Sequence, residues 1–114
     1  TIGQQNTIEE GVSQLNLAWD EFGINFLDTA EIYPVPTKAE TQGSTDRAVK
    51  EFMKGRKRED VVLATKVAGR APHMTWLRDD ESGAELNRKQ ILESVDKSLQ
   101  RLGTDYIDLL QIHG

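Results

Sequence analysis

Four ionisable side chains stand at the ends of short apolar runs and could act together on one substrate. Asp28 and Tyr33 follow the first run, Lys66 lies in the second, and His113 ends the third. A tyrosine, with a pKa of about 10, is a poor acid at neutral pH unless a cation stabilises its phenolate, and a buried lysine needs a carboxylate to stay charged. The first three residues therefore form a candidate relay for protonating a carbonyl oxygen, to which the histidine could donate a hydrogen bond.

Each of these residues also has an ordinary structural interpretation when it is considered alone. Asp28 could cap a loop, Tyr33 could pack its ring with its hydroxyl bonded, and His113 could be a satisfied structural histidine. Lys66 is harder to explain in this way, because lysine is rarely buried without a partner. Taken together, the four residues favour a catalytic set.

The elements that would position these residues alternate between helix and strand along the whole chain. Three helices are predicted: one from Ile8 to Phe22 with a capping box of Thr7 and Glu10, one through Phe52 ending near Gly55, and one that opens with the capping pattern of Asn87 and Gln90 and ends at Gly103. Strands are predicted at residues 24–27, 61–67 and 106–112. Connections that contain a helix are too long for hairpins, so the strands should be parallel.

Two α/β architectures compete for this pattern. An open doubly wound sheet that binds a dinucleotide should carry a glycine-rich turn after its first strand, but neither GxGxxG nor GxxxxGK[ST] occurs. A (β/α)8 TIM barrel instead places polar residues at the carboxyl ends of successive strands, as here. Such a barrel takes about 250 residues. We therefore expect residues 1–114 to be the N-terminal portion of one barrel domain, with about three βα units.

The composition and net charge limit the classes of partner and ligand that this protein is expected to bind. The net charge of −5 argues against a nucleic-acid surface, and no apolar run approaches the roughly 20 residues that a membrane helix needs. The absence of cysteine excludes disulfides, and two histidines without ligand spacing make a metal site improbable. The basic run Arg56-Lys57-Arg58 is predicted to be a solvated turn, since Glu59 and Asp60 follow it.

Three further features allow specific expectations. Trp19 lies on the apolar stripe of the first helix and is predicted to be core. In the loop after the second strand, His73 is predicted to be a surface residue, and Trp76 could either cap a pocket or pack the loop down. Glu93 and Lys97 are predicted to pair across one helical turn.

Three segments resemble the aldo-keto reductase family. They are Phe26-Leu27-Asp28-Thr29-Ala30-Glu31-Ile32-Tyr33, Ala64-Thr65-Lys66, and Leu102-Gly103-Thr104-Asp105-Tyr106-Ile107-Asp108-Leu109 through His113. They occur in the order of the family and cover essentially the whole chain. The loop from Tyr33 to Gly43 further resembles the branch that includes bacterial and plant relatives of the potassium-channel β-subunit reductases.

The resemblance implies a TIM barrel in which NADPH transfers hydride to a small-molecule aldehyde or ketone. Tyr33 would protonate the oxygen, Lys66 would stabilise its phenolate, Asp28 would hold Lys66 charged, and His113 would orient the carbonyl. Gln5, together with Asp28 and Tyr33, would contact the cofactor. Most other cofactor contacts in the family lie on later strands, and an aromatic loop usually follows its histidine, where Gly114 stands here.

We also expect a cytoplasmic protein, which on its net charge and its lack of a long apolar run binds neither nucleic acid nor membrane. A second hypothesis is a reductase-fold accessory or scaffold subunit in a larger assembly, with little or no turnover. Either form could also be a homo-oligomer. The complete set of four residues weighs against a purely structural role.

Overall fold

A computed structural model describes residue 2 and residues 6–113. Its helices are α1 (Ile8–Phe22), α2 (Ser44–Met53) and α3 (Arg88–Leu102), and its strands are β1 (Phe26–Asp28), β2 (Val62–Ala68) and β3 (Leu109–His113). A short 3-10 helix spans Arg58–Asp60. All six predicted helices and strands are therefore present, with boundaries that differ by up to a few residues.

The helix ends follow local sequence rules. In α1 the Thr7 hydroxyl accepts from the Glu10 amide at 3.0 Å, and the Glu10 carboxylate accepts from the Thr7 amide at 2.9 Å. Gly23 ends α1 with a φ of 65°. In α3 the Asn87 side chain accepts from the Gln90 amide at 2.9 Å, which confirms half of the predicted pattern. The Gln90 side chain turns instead to the preceding loop.

The third strand begins three residues later than predicted, at Leu109. The reason is a side chain that takes over the pairing: the Asp108 carboxylate accepts from the Leu63 amide at 2.8 Å, and the Asp108 amide donates to the Leu63 carbonyl at 3.0 Å. The bond from the Leu63 amide lowers the pKa of Asp108 below its usual value, with a smaller contribution from Arg58.

The three strands form one parallel sheet in the order β1-β2-β3. One apolar cluster joins the sheet to the helices and contains Leu27, Val49, Phe52, Val61, Leu63 and Leu102, with Leu15, Trp19 and Met53 packed against it. Each new strand is added at the same edge, and the helices pack on the same face. This is the winding of a barrel, whereas a doubly wound sheet reverses direction and carries helices on both faces.

Trp19 of α1 packs against the apolar cluster. The Trp19 ring is half-buried and meets the Phe52 ring edge-on at 5.7 Å, which confirms its place in the core.

The prediction that the run Arg56-Lys57-Arg58 is a solvated turn is wrong for both arginines. The Arg56 guanidinium lies 4.1 Å from the centre of the Phe52 ring, and Arg58 donates to the Val61 carbonyl and to the Asp108 carboxylate. Long side chains can cover apolar surface while their charged ends remain bonded.

Within the described residues, no helix is long and apolar enough to cross a membrane.

Candidate active site

The sheet brings three of the four predicted catalytic residues to one end of one face. Asp28 and His113 are the last residues of β1 and β3, and Lys66 lies two residues before the end of β2. In the register of the sheet, Asp28 pairs with Ala64 and His113 pairs with Ala68. Because side chains alternate along a strand and paired residues share a face, all three lie on the face opposite the helices. Tyr33 comes from the loop after β1.

Lys66 is the centre of the site. Its ammonium donates to the Asp28 carboxylate at 2.9 Å and to the Thr29 carbonyl at 3.0 Å, and it lies 3.5 Å from the Tyr33 hydroxyl. An ammonium has three protons, so each one faces an acceptor. The Lys66 side chain is only 13% exposed, whereas that of Asp28 is 49% exposed. The cation is therefore held in place with one side turned to the tyrosine.

His113 completes the set from the third strand. Its ring meets the Tyr33 ring edge-on, with centres 5.7 Å apart and an interplanar angle of 88°. Burial lowers the pKa of His113 below its usual value and the charge of Lys66 lowers it further, against a smaller opposing effect of Asp28. The neutral imidazole is therefore favoured. Nδ1 is buried without a hydrogen-bond partner among the described residues, so we assign the proton to Nε2, which can donate to a substrate.

A buried chain of polar groups supports Lys66 from behind. Thr29, whose carbonyl accepts from Lys66, donates through its hydroxyl to Asp46 at 2.6 Å. Arg101 donates to the other oxygen of Asp46 at 2.8 Å. Burial raises the pKa of Asp46, and the charge of Arg101 partly offsets that effect. Sequence reasoning missed these residues, because an aspartate in the first turn of a helix is expected to serve the helix end.

A second group that the sequence did not indicate lies beside the ends of β1 and β2. Glu31 accepts from the Ala68 amide at 2.7 Å through its carboxylate, and its own amide donates to the Lys66 carbonyl at 3.3 Å. Arg78 donates two hydrogen bonds of 3.0 Å to the same carboxylate. The Arg78 and Glu31 side chains are 0% and 1% exposed. The only sequence signal was the place of Glu31 between Asp28 and Tyr33.

The loop after β2, residues 69–87, contains His73 and Trp76, whose environments were predicted from the sequence. His73 is exposed, as predicted. Trp76 is half-buried and packs against the cluster of Ala68, Leu77 and Ala84, so it holds the loop down.

Two other predictions concern α3 and the first residues of the chain. Glu93 and Lys97 of α3 form the predicted pair at 3.0 Å. Gln5, the third predicted cofactor contact, lies outside the described residues.

Gly69 sets the distance between the ends of β2 and β3. Its amide donates to the His113 carbonyl at 3.0 Å, and a Cβ at this position would lie 2.5 Å from the same oxygen. Such a contact is far inside van der Waals range and involves backbone, which cannot rotate away. Only glycine therefore permits this approach.

We expect Gly69→Ala to displace His113 and to lower the kcat of a reaction that uses His113, together with a loss of stability of about 1–3 kcal/mol from overpacking. Steady-state kinetics and thermal unfolding of the complete protein measure the two effects. Gly23→Ala is the matched control: Gly23 has a φ of 65°, and among the described residues no atom beyond its chain neighbours lies within 4 Å of its Cβ position. It should cost about 1–2 kcal/mol in stability and leave kcat unchanged. A Gly69→Ala protein with normal kcat would contradict the role of this contact.

The four residues can together donate a proton and bind an oxygen that gains negative charge. Tyr33 and Nε2 of His113 are the donors, and Lys66 is the cation beside the tyrosine. None of these side chains can supply a hydride, so a reduction at this site would need a separate reductant. The described residues contain no group of three or more His, Cys, Asp or Glu side chains that could hold a metal ion.

Comparison with known proteins agrees with this geometry. A family model described as "Aldo/keto reductase family" matches residues 1–114. The protein named Tas of Escherichia coli K12 is 42% identical over 115 residues, which cover 99% of this chain and 32% of Tas. A probable voltage-gated potassium channel subunit beta of Arabidopsis thaliana is 34% identical, over 99% of this chain and 30% of its own length. The chain thus spans about a third of the length of these curated relatives.

A solved structure shares the arrangement of elements. The thermostable aldo-keto reductase Tm1743, crystallised with the inhibitor epalrestat, aligns with a TM-score of 0.66 and 29% identity, over 96% of this chain and 32% of that one. The α/β fold predicted above, part of a TIM barrel with parallel strands, is thereby confirmed. Because the family model matches residues 1–114, the chain belongs to the aldo/keto reductase family.

Proposed function

We propose that the complete protein is an NADPH-dependent oxidoreductase that reduces small aldehydes or ketones to alcohols. The observation that carries this proposal is the position of the Lys66 ammonium, 2.9 Å from the Asp28 carboxylate and 3.5 Å from the Tyr33 hydroxyl. A cation that touches a phenol stabilises the phenolate that remains after the proton has left. This arrangement is suited to a tyrosine that acts as an acid.

The protein's own groups act on the carbonyl oxygen. Tyr33 donates its hydroxyl proton to that oxygen as negative charge develops, and Lys66 stabilises the resulting phenolate. Asp28 balances the charge of Lys66 and fixes its direction. His113, neutral and protonated on Nε2, donates a hydrogen bond that orients the carbonyl.

The chemistry of this donor set fits a nicotinamide cofactor, because proton donors alone cannot reduce a carbonyl. NADPH supplies the hydride when it is bound. Asp28, half-exposed at the mouth of the sheet, and Tyr33 are the described residues that would contact it, and Gln5 is a further candidate. The preference for NADPH over NADH is an expectation from the family resemblance.

Exposed apolar residues on the edge strands support a larger barrel domain around this chain. Phe26 of β1 is 51% exposed, and Leu110 and Ile112 of β3 are 43% and 66% exposed. Within the described residues both edges of the sheet are unpaired, and such edges and side chains require further covering elements. We propose that residues 1–114 form the N-terminal portion of one barrel domain of a cytoplasmic protein.

The test is cofactor consumption by the complete protein. Purified protein should consume NADPH, followed by its absorbance, when an aldehyde is added, and the corresponding alcohol should appear in equal amount. The same assay with NADH measures the cofactor preference. No turnover with a range of aldehydes and ketones would sink the proposal.

An accessory subunit is the second candidate, because one relative is named a probable channel β-subunit. In that case the protein should purify at fixed stoichiometry within a larger assembly and show little turnover. The contacts of Lys66 with Asp28 and Tyr33 argue against it, since a surface used only for docking does not require them. Size-exclusion chromatography with mass measurement, alongside the NADPH assay, separates the two candidates.

A further inference from the structure

We propose that Glu31, Arg78 and Gln90 are positioning residues that hold the loop of residues 69–87 as a fixed apolar wall beside His113. The wall would select carbonyl substrates that carry an apolar group, such as an aromatic ring. This inference rests on the proposed reductase function and adds to it the residues that fix one wall of the substrate cleft.

Glu31 connects the catalytic strands to two loops. Its carboxylate accepts from the Ala68 amide at 2.7 Å, two residues beyond Lys66, and binds Arg78 of the 69–87 loop with both oxygens. Its carbonyl accepts from the Gln42 side chain at 2.7 Å, in the loop before α2. One residue of the segment between Asp28 and Tyr33 thus anchors both loops at the end of the sheet.

Gln90 closes the network from α3. Its side-chain oxygen accepts from Arg78 Nε at 2.8 Å and from the Glu85 amide at 2.8 Å, and its side-chain nitrogen donates to the Gly83 carbonyl at 3.0 Å. Arg78 is consequently bonded to a carboxylate on one side and an amide on the other. The loop is 19 residues long, yet the β-strand end and the helix start hold it at both sides.

The two arms of the loop are also joined to each other. Ala71 and Ala84 form an antiparallel bridge, with hydrogen bonds of 2.8 and 3.0 Å in the two directions. A Cβ on Gly83 would overlap the backbone of Pro72, so the backbones of the two arms are in direct contact there. A loop of this length is normally variable in position, whereas these contacts tie its two arms together.

The fixed loop forms one wall of a cleft of about 300 Å³ that contains His113. Met74 and Leu86 come from the loop, and Ile32 and Ala68 come from the segments after β1 and at the end of β2. These four are apolar, and the loop also contributes Arg70, whose side chain is 73% exposed and pairs with Glu85. A substituent on a carbonyl carbon held near Tyr33 and His113 would meet these side chains, whereas a very small aldehyde would reach few of them.

Burial of an ion pair is a poor means of stabilising a fold, because the loss of hydration offsets the attraction between the charges. A pair that is kept fully buried beside a catalytic site is better suited to fixing a geometry. Hydrogen bonds from Arg78 to two separate elements define one position of the loop, which apolar packing alone does not.

The test is the double variant Glu31→Gln/Arg78→Met in the complete protein. The amide oxygen introduced by Glu31→Gln can still accept from the Ala68 amide, so the strand end is retained while the link to the loop is lost, and no buried charge remains. The matched control is Lys89→Met, which removes the exposed ion pair that Lys89, at the start of α3, makes with Asp80 of the same loop. Kinetics with NADPH are measured for benzaldehyde and for propanal, and hydrogen exchange is followed in residues 69–87.

We expect the double variant to raise KM for benzaldehyde and to lower its kcat/KM by roughly tenfold or more, the size of one lost apolar contact. The kcat/KM for propanal should change by less than about threefold. Hydrogen exchange should become faster in residues 69–87. The control should match the wild type. Equal losses for both aldehydes, or lost protection of the loop without any change in selectivity, would overturn the inference while leaving the reductase function intact.

If the double variant does not fold, Gln90→Met removes the α3 side of the network without changing any charge. It should move selectivity in the same direction by a smaller factor. Unchanged selectivity in a folded Gln90→Met protein with an exchanging loop would also overturn the inference. A wild-type protein that reduces neither aldehyde would contradict the proposed function itself, and with it this inference.

Discussion

Replacing Tyr33 with phenylalanine should lower kcat for carbonyl reduction by about 10²- to 10⁴-fold, the range that a positioned general acid contributes. The substitution removes only the hydroxyl that lies 3.5 Å from the Lys66 ammonium. The ring, and with it the edge-on contact with His113, is retained. Binding of NADPH, followed by fluorescence titration, should therefore persist. Steady-state kinetics with an aldehyde measure the loss.

The chain offers a matched control in its other tyrosine. Tyr106 is 40% exposed, and its ring lies against the Arg58 guanidinium at 3.9 Å, on the segment that precedes β3. Tyr106→Phe removes the same atom far from the carboxyl ends of the strands and should leave kcat unchanged. Turnover of Tyr33→Phe at the wild-type rate would show that another group protonates the substrate.

Replacing Arg78 with methionine should lower the free energy of unfolding by about 3–5 kcal/mol, the cost of leaving one partner of a buried ion pair unpaired. The Glu31 carboxylate would keep its bond from the Ala68 amide but lose both bonds from Arg78. Its side chain is 1% exposed, so bulk water does not reach it in the native packing. Denaturant unfolding of the complete protein measures the change.

Adding Glu31→Gln to Arg78→Met should recover much of that loss, because the unpaired charge is then removed as well. Lys89→Met breaks a pair whose side chains are 75% and 50% exposed and should change stability little. If Arg78→Met were as stable as Lys89→Met, the Glu31 carboxylate would have to be paired or hydrated in some other way.

Much of the fold could be predicted from local patterns. The capping box of Thr7 and Glu10 marked the start of α1, and glycines at 23 and 103 marked two helix ends, since these signals depend on neighbours within a few residues. The absence of a glycine-rich dinucleotide turn, together with polar strand ends, was sufficient to favour a barrel over a doubly wound sheet.

The errors occurred where a side chain acts at long range. A charged run is normally solvated, so the sequence predicts that Arg56 and Arg58 face water. In the structure Arg56 donates to Asn16 and to the Phe52 carbonyl, and Arg58 donates to Asp108. The sequence predicts a start of β3 that is too early, because the Leu63 amide donates to the Asp108 carboxylate and not to a backbone carbonyl. Neither contact has a pattern that a short window of sequence reveals.

In the active site, too, local sequence determines some features and long-range packing determines others. The identities of Asp28, Tyr33, Lys66 and His113 and their places at strand ends followed from the sequence, because parallel strands deliver their carboxyl ends to one side of a sheet. Only the tertiary structure decided what surrounds them. Glu31 and Arg78 are 47 positions apart, and each alone would be expected at the surface. Their burial depends on a loop folding back over the sheet, which is a property of packing in three dimensions and not of spacing along the chain.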